Sequence, residues 1–504
     1  MLAMRWIVKR RWTFWRMWII GIGIWLCAGG VHAQETSEVT VGAAGIGDSY
    51  YPALGNSGYD VQHYTITLFT PVAQNYINAE THIEAIATHD LTAFNLDFYH
   101  LNILELRVNN IRAEYSRSGN ELTIIPDELI PAGETFTVRI HYSGAPNVSE
   151  SGEVSYAEGW WHGDGGIITA GEPSGASTWY PVNEHPLDKA TYTFILTVPS
   201  PYVAVANGTL ESTEVDGDNI TYIWEMRQPM ASYLASFQAG LFVMQTDDSG
   251  SVPIRNFFPE GRERGGETVF ADQAAMIDYF SSIFGEYPFE VYGAVVANES
   301  FGFALELQTL SLFGLRFVNA GRNSPDTQGV IAHEAAHQWF GNSVSLSDWS
   351  EIWLNEGFAT YASWLWFEHS AGAQVFEDIV NEYYNFISAN DQLANGATLE
   401  DARRIARSFA PPGAPHPDDL FNIGVYVRGA LVLHALRLEV GDDSFFEILQ
   451  TYANQFRYSN ATIADFIAIS ESISGQDLES FFDAWLYDEI MPDIPQIGLE
   501  NSVD

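Results

Sequence analysis

The sequence predicts a multidomain fold in which an N-terminal antiparallel β domain precedes a mainly helical domain of the α+β class. Between residues 59 and 242, short segments alternate apolar and polar residues, and Gly, Pro, Asn and Asp separate them as they separate antiparallel strands. From about residue 271 the apolar residues recur at helical spacing instead. With 504 residues, of which 46% are hydrophobic and 17% charged, the chain is long enough for several domains with buried cores.

The N-terminal segment has the pattern of an export signal. Its basic residues precede an apolar run at residues 17–27, and the small-residue sequence VHA then offers a cleavage site. We therefore predict a signal peptide over residues 1–33 and an exported protein, whether secreted, periplasmic or on the cell surface. The apolar run is short for a bilayer span, so no stable span is expected after cleavage, with an uncleaved anchor as the alternative. The only cysteine, Cys27, lies in this segment, so the mature chain is expected to use neither disulfides nor a cysteine nucleophile.

Composition and pattern divide the remaining chain into two domains. Residues 34–50 are small and polar and are predicted to be a linker, residues 51–248 a β domain, residues 249–495 the second domain and residues 496–504 a tail. The clearest strand patterns of the β domain lie at residues 81–87, 135–140 and 191–198. The elements expected in the second domain are a helix at residues 275–284, short strands at 292–297 and 309–313, and helices at 327–340, 352–368, 375–387, 429–440, 445–456, 463–473 and 478–487.

The charge balance excludes one class of partner. The chain has 65 acidic and 22 basic residues, which gives a formal net charge of −43. Because the phosphates of a nucleic acid would be repelled, we expect no nucleic-acid partner. The acidity is otherwise typical of a well-solvated surface.

A HEAAH motif at residues 333–337 predicts a metal site. His333 and His337 lie one helical turn apart on the same face, so both imidazoles can reach one ion. A second predicted helix follows after a short turn-rich connection, and an antiparallel arrangement would bring Glu356 back towards the histidines. Two histidines and a glutamate suit one catalytic zinc ion and leave a fourth position for water, from which Glu334 could take a proton. The alternative is a pair of packed histidines on a half-buried helix.

These motifs resemble those of the aminopeptidase N-like family of gluzincin zinc metallopeptidases, over about residues 48–495. The strongest matches are HEAAHQWFGN at residues 333–342 and WLNEGFATYA at residues 353–362. Weaker matches are GYDVQHY at 58–64, WYPVNEHPLDKATYTFILTVP at 179–199, VANGTL at 205–210, PMASYL at 229–234 and FGEYPF at 284–289. The resemblance implies that the second domain is a thermolysin-like catalytic domain.

The resemblance also implies roles for individual residues. His333, His337 and Glu356 would bind one zinc ion, and Glu334 would be the general base. Tyr426 matches the family tyrosine that stabilises the tetrahedral oxyanion, and its hydroxyl can donate a hydrogen bond to a developing negative charge. Without the resemblance, an aromatic residue packed at the start of a helix is the preferred interpretation of Tyr426.

An aminopeptidase must also bind the free α-amino group, for which carboxylates are well suited because an ammonium donates charge-assisted hydrogen bonds to them. The family uses the glutamate of a Gly-Ala-Met-Glu-Asn motif, and Glu306 holds that position here. Phe303 and Leu307 replace the family's glycine and asparagine. The resemblance therefore does not predict the contacts to the substrate main chain or the specificity. Glu172 falls where the family places a second polar residue near the amine.

Together these features lead us to expect a zinc-dependent aminopeptidase that acts on peptides with a free N-terminus. A zinc endopeptidase would share the metal site but lack the amine anchor, so Glu306 distinguishes the two. A hydrolase with a non-peptide substrate is a further alternative. A binding protein that kept the fold and lost the chemistry is the alternative from a different class, and metal analysis would separate it from an enzyme.

Overall fold

The computed structural model describes residues 42, 44–149, 158–396 and 408–501. The predicted signal peptide and most of the predicted linker lie outside these residues. No helix in the described part of the chain is both long enough and apolar enough to cross a bilayer.

The N-terminal part of the described chain is built from strands. These are β1 (Tyr59–Phe69), β2 (Ile77–Ala87), β3 (Phe94–Asp97), β4 (Asn102–Val108), β5 (Ile111–Arg112), β6 (Glu114–Ser118), β7 (Glu121–Ile125), β8 (Thr135–Gly144), β9 (Val148–Ser149), β10 (Glu158–Gly163), β11 (Gly166–Ala170), β12 (Ala190–Pro199), β13 (Val203–Ala206), β14 (Thr209–Asp216), β15 (Asn219–Met230) and β16 (Phe237–Gly240).

These strands form three sheets, most of whose neighbours are antiparallel. The largest has eight described strands in the order β14–β15–β12–β1–β2–β8–β4–β5, in which only the β1–β12 pair is parallel. Along β12 the residues alternate between buried and half-buried, because one face of the sheet packs on the core. The other two sheets have the orders β3–β7–β6 and β13–β16–β11–β10–β9.

The second part of the chain is mainly helical. Its strands are β17 (Phe242–Asp247), β18 (Ile254–Pro259), β19 (Ala294–Ala297), β20 (Ala304–Leu305), β21 (Ser311–Gly314), β22 (Val344–Leu346) and β23 (Ser459–Ala461). Its α-helices are α1 (Glu263–Val269), α2 (Gln273–Phe284), α3 (Leu315–Ala320), α4 (Pro325–Ala336), α5 (Trp353–Ala371), α6 (Ala373–Gly396), α7 (Gly429–Val440), α8 (Asp442–Gln455), α9 (Ile463–Ser474) and α10 (Glu479–Leu486).

Helix α5 is the central element of this second part. Every residue in its first fourteen positions is buried. A helix that is buried on all sides lies in the interior of a large core, and α5 packs against α4, α6 and α7. Beside these helices, β17–β18–β19–β21–β20 form a five-stranded sheet, and β22 pairs in parallel with β23. The HEAAH motif, at the end of α4, is thus placed next to this buried helix.

The structure confirms the predicted fold class of a β domain followed by a mainly helical domain. The motif helix is shorter than the predicted span of residues 327–340, because α4 ends at Ala336. Gly341 then takes a φ of +120° that favours glycine, and the amide of Asn342 donates to the backbone oxygen of His337 as the chain turns back. The predicted boundary at residues 248/249 falls between β17 and β18, which pair with each other; the domain boundaries themselves stay predictions.

Candidate metal centre and substrate cavity

The side chains of His333, His337 and Glu356 converge on one point. Nε2 of His333 lies 3.1 Å from Oε2 of Glu356 and 2.9 Å from Nε2 of His337. Nε2 of His337 lies 3.5 Å from the same carboxylate oxygen. Helix α4 and its C-cap supply the two histidines, and the first turn of α5 supplies the glutamate. The three side chains therefore form a group that could hold a metal ion.

The donor atoms lie 2.9 to 3.5 Å apart, close to the spacing around a tetrahedral zinc ion and slightly shorter for two of the three pairs. At zinc–ligand distances of about 2.0 to 2.2 Å, the corners of a tetrahedron lie about 3.3 to 3.6 Å apart. Nδ1 of His337 donates to the backbone oxygen of Phe340 over 3.0 Å, and Nδ1 of His333 lies 3.4 Å from the hydroxyl of Thr360. These contacts leave the Nε2 lone pair of each ring directed at the shared point. Two imidazoles and one carboxylate also match the ligand chemistry of a catalytic zinc.

Four buried glutamates surround this point. Glu172, Glu306, Glu334 and Glu356 are each at most 5% exposed. Burial is the main cause that raises the pKa of the first three above the ordinary value of a carboxyl group. The pKa of Glu356 is instead lowered to about 2. Burial is the largest single influence and raises it, but the charges of His337 and His333 and the hydrogen bonds from both rings together outweigh burial. So many carboxylates in one buried place favour the binding of cations.

One carboxylate oxygen of Glu306 has no hydrogen-bond donor among the described residues. Carboxylate oxygens of Glu306 and Glu334 and a ring nitrogen of His337 lie within 4.8 Å of one another. Oε1 of Glu306 is buried and accepts no hydrogen bond from the residues that the structure describes. Because a buried carboxylate oxygen without a donor is costly, its position beside the metal centre indicates a ligand that carries hydrogen-bond donors.

Neighbouring polar side chains hold Glu306 in place. The side-chain amides of Gln338 and Asn342 donate to the backbone oxygen of Glu306 over 3.1 and 2.6 Å. The ammonium of Lys189, from the β domain, donates to the backbone oxygens of Asn342 and Ser343 over 3.0 and 2.9 Å. The sequence analysis did not assign these residues, although Lys189, Gln338 and Asn342 lie within the quoted motifs. They connect the β domain to the loop that follows the second histidine.

Tyr426 lies beside the first histidine. Residues Gly424–Arg428 form one turn of π-helix immediately before α7. The ring of Tyr426 stacks on the ring of His333, with centroids 5.9 Å apart and an angle of 22° between planes. π-helical turns occur frequently at functional sites, and Tyr426 lines the same cavity as the donor atoms, but its role as oxyanion stabiliser stays a prediction.

A cavity of about 330 Å³ lies at this site. The predicted site residues that line it are Glu172, Glu306, His333, Glu334, His337, Glu356 and Tyr426. The structure thus brings together every residue that the sequence singled out. Aromatic side chains also line the cavity: Phe303, which the sequence analysis named only as a departure from the family motif, and Trp364, Phe367, Tyr383 and Phe421, which it did not identify. Nothing in the local pattern distinguishes these four from aromatic residues of the core.

Comparisons with known proteins agree with this arrangement. The model of the peptidase M1 N-terminal domain matches residues 60–234, and the model of the peptidase family M1 domain matches residues 270–485. Among solved structures, an M1 zinc metallopeptidase variant from Deinococcus radiodurans, bound to a Tyr-Ser-Ala substrate, has a TM-score of 0.79 at 28% identity. That similarity covers 90% of this chain and 100% of the other.

Similar proteins with curated functions are longer than this chain. Aminopeptidase M1 of Arabidopsis thaliana is 28% identical over 330 residues, which cover 63% of this chain and 36% of the plant protein. Aminopeptidase 2 of Candida albicans is 26% identical over 449 residues, which cover 84% of this chain and 46% of the yeast protein. The chain therefore spans between about a third and a half of the length of these relatives.

Proposed function

Because this chain belongs to peptidase family M1, we propose that it is a zinc-dependent aminopeptidase that removes N-terminal residues from peptides. The observation that carries the proposal is the buried carboxylate of Glu306 beside the donor cluster of His333, His337 and Glu356 in one cavity. A metal site alone would serve any metallopeptidase. A carboxylate held at a fixed position next to it supplies an anchor for a substrate ammonium.

In this proposal the two histidines and Glu356 hold zinc. When bound, zinc polarises a carbonyl group and lowers the pKa of water from about 16 to about 7. The hydrogen bond from Nδ1 of His337 to Phe340 fixes the ring orientation and keeps Nε2 free to act as a ligand.

In this proposal Glu334 transfers a proton from the attacking water to the leaving amine. Its carboxylate lies near Glu306 and His337 on the cavity side of α4. It accepts a proton from the attacking water and later gives it to the leaving amine. Because its side chain is only 5% exposed, bulk water competes little for that proton.

The remaining groups bind the substrate. The hydroxyl of Tyr426 donates a hydrogen bond to the oxyanion that develops on the scissile carbonyl. The carboxylates of Glu306 and Glu172 accept hydrogen bonds from the α-ammonium, and their fixed separation from the donor cluster sets the distance from chain end to cut. The shortened peptide then leaves, and its former second residue carries the new free amine.

The proposal is tested by metal analysis and a panel of aminoacyl-coumarin substrates. We expect one zinc ion per chain and release of coumarin that a chelator abolishes and added zinc restores. Acetylation of the substrate amine should stop turnover. A zinc-loaded protein that cuts acetylated and free peptides equally would instead be an endopeptidase, and a zinc-loaded protein that cuts neither would be a binding protein.

We also propose that the activity is located outside the cytoplasm, on the basis of the predicted signal peptide over residues 1–33. N-terminal sequencing of the protein from a native culture should give Gln34 as the first residue. A first residue at Met1 in the cytoplasmic fraction would contradict export.

A further inference from the structure

A second cavity adjoins the first on the side of the β domain. It has a volume of about 350 Å³ and lies between the β10–β11 hairpin and the segment that contains Glu299 and Phe301. Ala170 and Phe303 line both cavities. We call this second cavity the hairpin slot. These shared residues precede Glu172 and Glu306 by two and three positions, so the slot has a wall in common with the cavity that contains the proposed amine anchor.

The hairpin side of the slot carries the indole ring of Trp161 beside Ile168 and three small residues, and His162 also lines it. Trp161 is paired directly with Ile168 across the hairpin, so both side chains lie on the same face. Gly163 and Gly166 follow as the next pair on that face and leave space. Trp161 is 41% exposed, although its ring is large and apolar. An aromatic ring that lines an open slot is suited to stacking against a ligand.

The opposite wall is also aromatic. The rings of Phe301 and Phe303 stack on each other with centroids 4.5 Å apart and an angle of 24° between planes. The slot therefore has aromatic surfaces on two sides. Flat groups, including the guanidinium of arginine, bind well against such surfaces.

The slot contains the carboxylate of Glu299, which is half-buried. Oε1 of Glu299 accepts a hydrogen bond from the amide of Gly165 over 3.2 Å. A Cβ atom at Gly163 would lie 2.9 Å from the same oxygen, so the carboxylate lies close against the hairpin tip. The guanidinium of Arg316 lies against Gly302 and is not among the groups that line the slot. His162 does line it, and its Nε2 is hydrogen-bonded to the backbone oxygen of Val72 over 2.7 Å. A cationic ligand would therefore meet a negative charge in the slot.

We propose that the hairpin slot binds the side chain of the first substrate residue and favours arginine. The inference rests on the proposed aminopeptidase function, since it is the anchored amine that places this side chain at the mouth of the slot. The aliphatic part and guanidinium of arginine would stack between Trp161 and the two phenylalanines, and the guanidinium would donate to Glu299. Net negative charge on the whole protein adds to the attraction.

The test compares three coumarin substrates whose first residue is arginine, citrulline or alanine. Citrulline has nearly the shape of arginine but no charge. For the wild-type, zinc-loaded protein we expect kcat/KM to be about tenfold higher for arginine than for citrulline, as for the loss of a charge-assisted hydrogen bond. Glu299→Gln should bring this ratio close to one, because glutamine keeps the acceptor for Gly165 but lacks the charge. Glu267→Gln is the matched control, because Glu267 is exposed on α1 and lines neither cavity.

A second variant tests the stacking. Trp161→Ala should lower the ratio of kcat/KM for arginine to that for alanine by about three- to tenfold. If the wild type cleaves the alanine substrate but treats arginine and citrulline equally, the slot assignment is wrong and the proposed function stands. If Glu299→Gln does not change the arginine-to-citrulline ratio and Trp161→Ala does not change the arginine-to-alanine ratio, the slot assignment is also wrong. If the zinc-loaded wild type cleaves none of the three, the proposed function fails and the slot fails with it.

Discussion

Replacing Glu306 by glutamine tests the proposed amine anchor, which would distinguish an aminopeptidase from an endopeptidase with the same metal site. The substitution keeps the size and shape of the side chain but removes its charge. In the structure this side chain is 2% exposed, and its Oε1 accepts no hydrogen bond from the described residues. A substrate ammonium would therefore be its donor, in a buried place where water does not screen the interaction.

The expected size of the effect follows from that burial. Loss of a hydrogen bond between charged groups costs about 1.5 to 3 kcal/mol, which is about a 10- to 150-fold fall in kcat/KM. The lower half of this range is expected, because the carboxylate of Glu172 remains in the same cavity. Thermal stability should not fall, since burial raises the pKa of Glu306 and its carboxylate form is costly in the folded protein.

The assay measures kcat/KM for alanyl-coumarin and for propionyl-coumarin, which lacks the amine, with equal zinc content in both proteins. Glu306→Gln should slow the first reaction strongly and leave any slow turnover of the second unchanged. Glu267→Gln again controls for the loss of one negative charge. A fall of less than twofold for alanyl-coumarin in a folded, zinc-loaded Glu306→Gln variant would refute the anchor.

Three further predictions concern other groups. Glu334→Gln should retain zinc, because the ligands are intact, yet lose about 10²- to 10⁴-fold in kcat as the proton acceptor is removed; metal analysis and steady-state kinetics check both, and high activity with zinc bound would contradict the assignment. Tyr426→Phe should lower kcat by about 10²-fold with little change in KM, and a change confined to KM would oppose an oxyanion role. Burial, with the charge of Asp97, raises the pKa of Glu184 to about 8 from 4.5, so its contribution to stability is present below pH 4.5 and is lost as the pH rises through 8. The free energy of unfolding, measured in urea, should therefore fall less steeply over this pH range in Glu184→Gln than in the wild type, and parallel profiles would contradict the buried carboxyl.

The sequence allowed the three metal-binding side chains to be predicted because most of their geometry is local. His333 and His337 are four positions apart, so helical spacing alone places them on one face. Glu356 needed one further assumption, that two helices with a short connection pack together, and α4 and α5 do. The extent of the motif helix was less predictable. Apolar residues continue to Phe340, but the positive φ of Gly341 belongs to the loop that follows the helix.

Other parts of the site depend on tertiary packing and could not be derived from local pattern. Tyr426 was identified through the family resemblance alone, and its π-helical turn has no signal in a hydrophobic periodicity. The contacts from Lys189 to Asn342 join residues that are 153 positions apart. Likewise, Trp161 and Phe303 form walls of one slot only because the β10–β11 hairpin reaches the second domain.

The most direct test of the central claim is digestion of one peptide in two forms, with a free and with an acetylated N-terminus, followed by mass spectrometry over time. The account predicts that the zinc-loaded protein removes single residues in order from the free end and leaves the acetylated peptide intact. Internal fragments from either form, or shortening of the acetylated peptide, would contradict it.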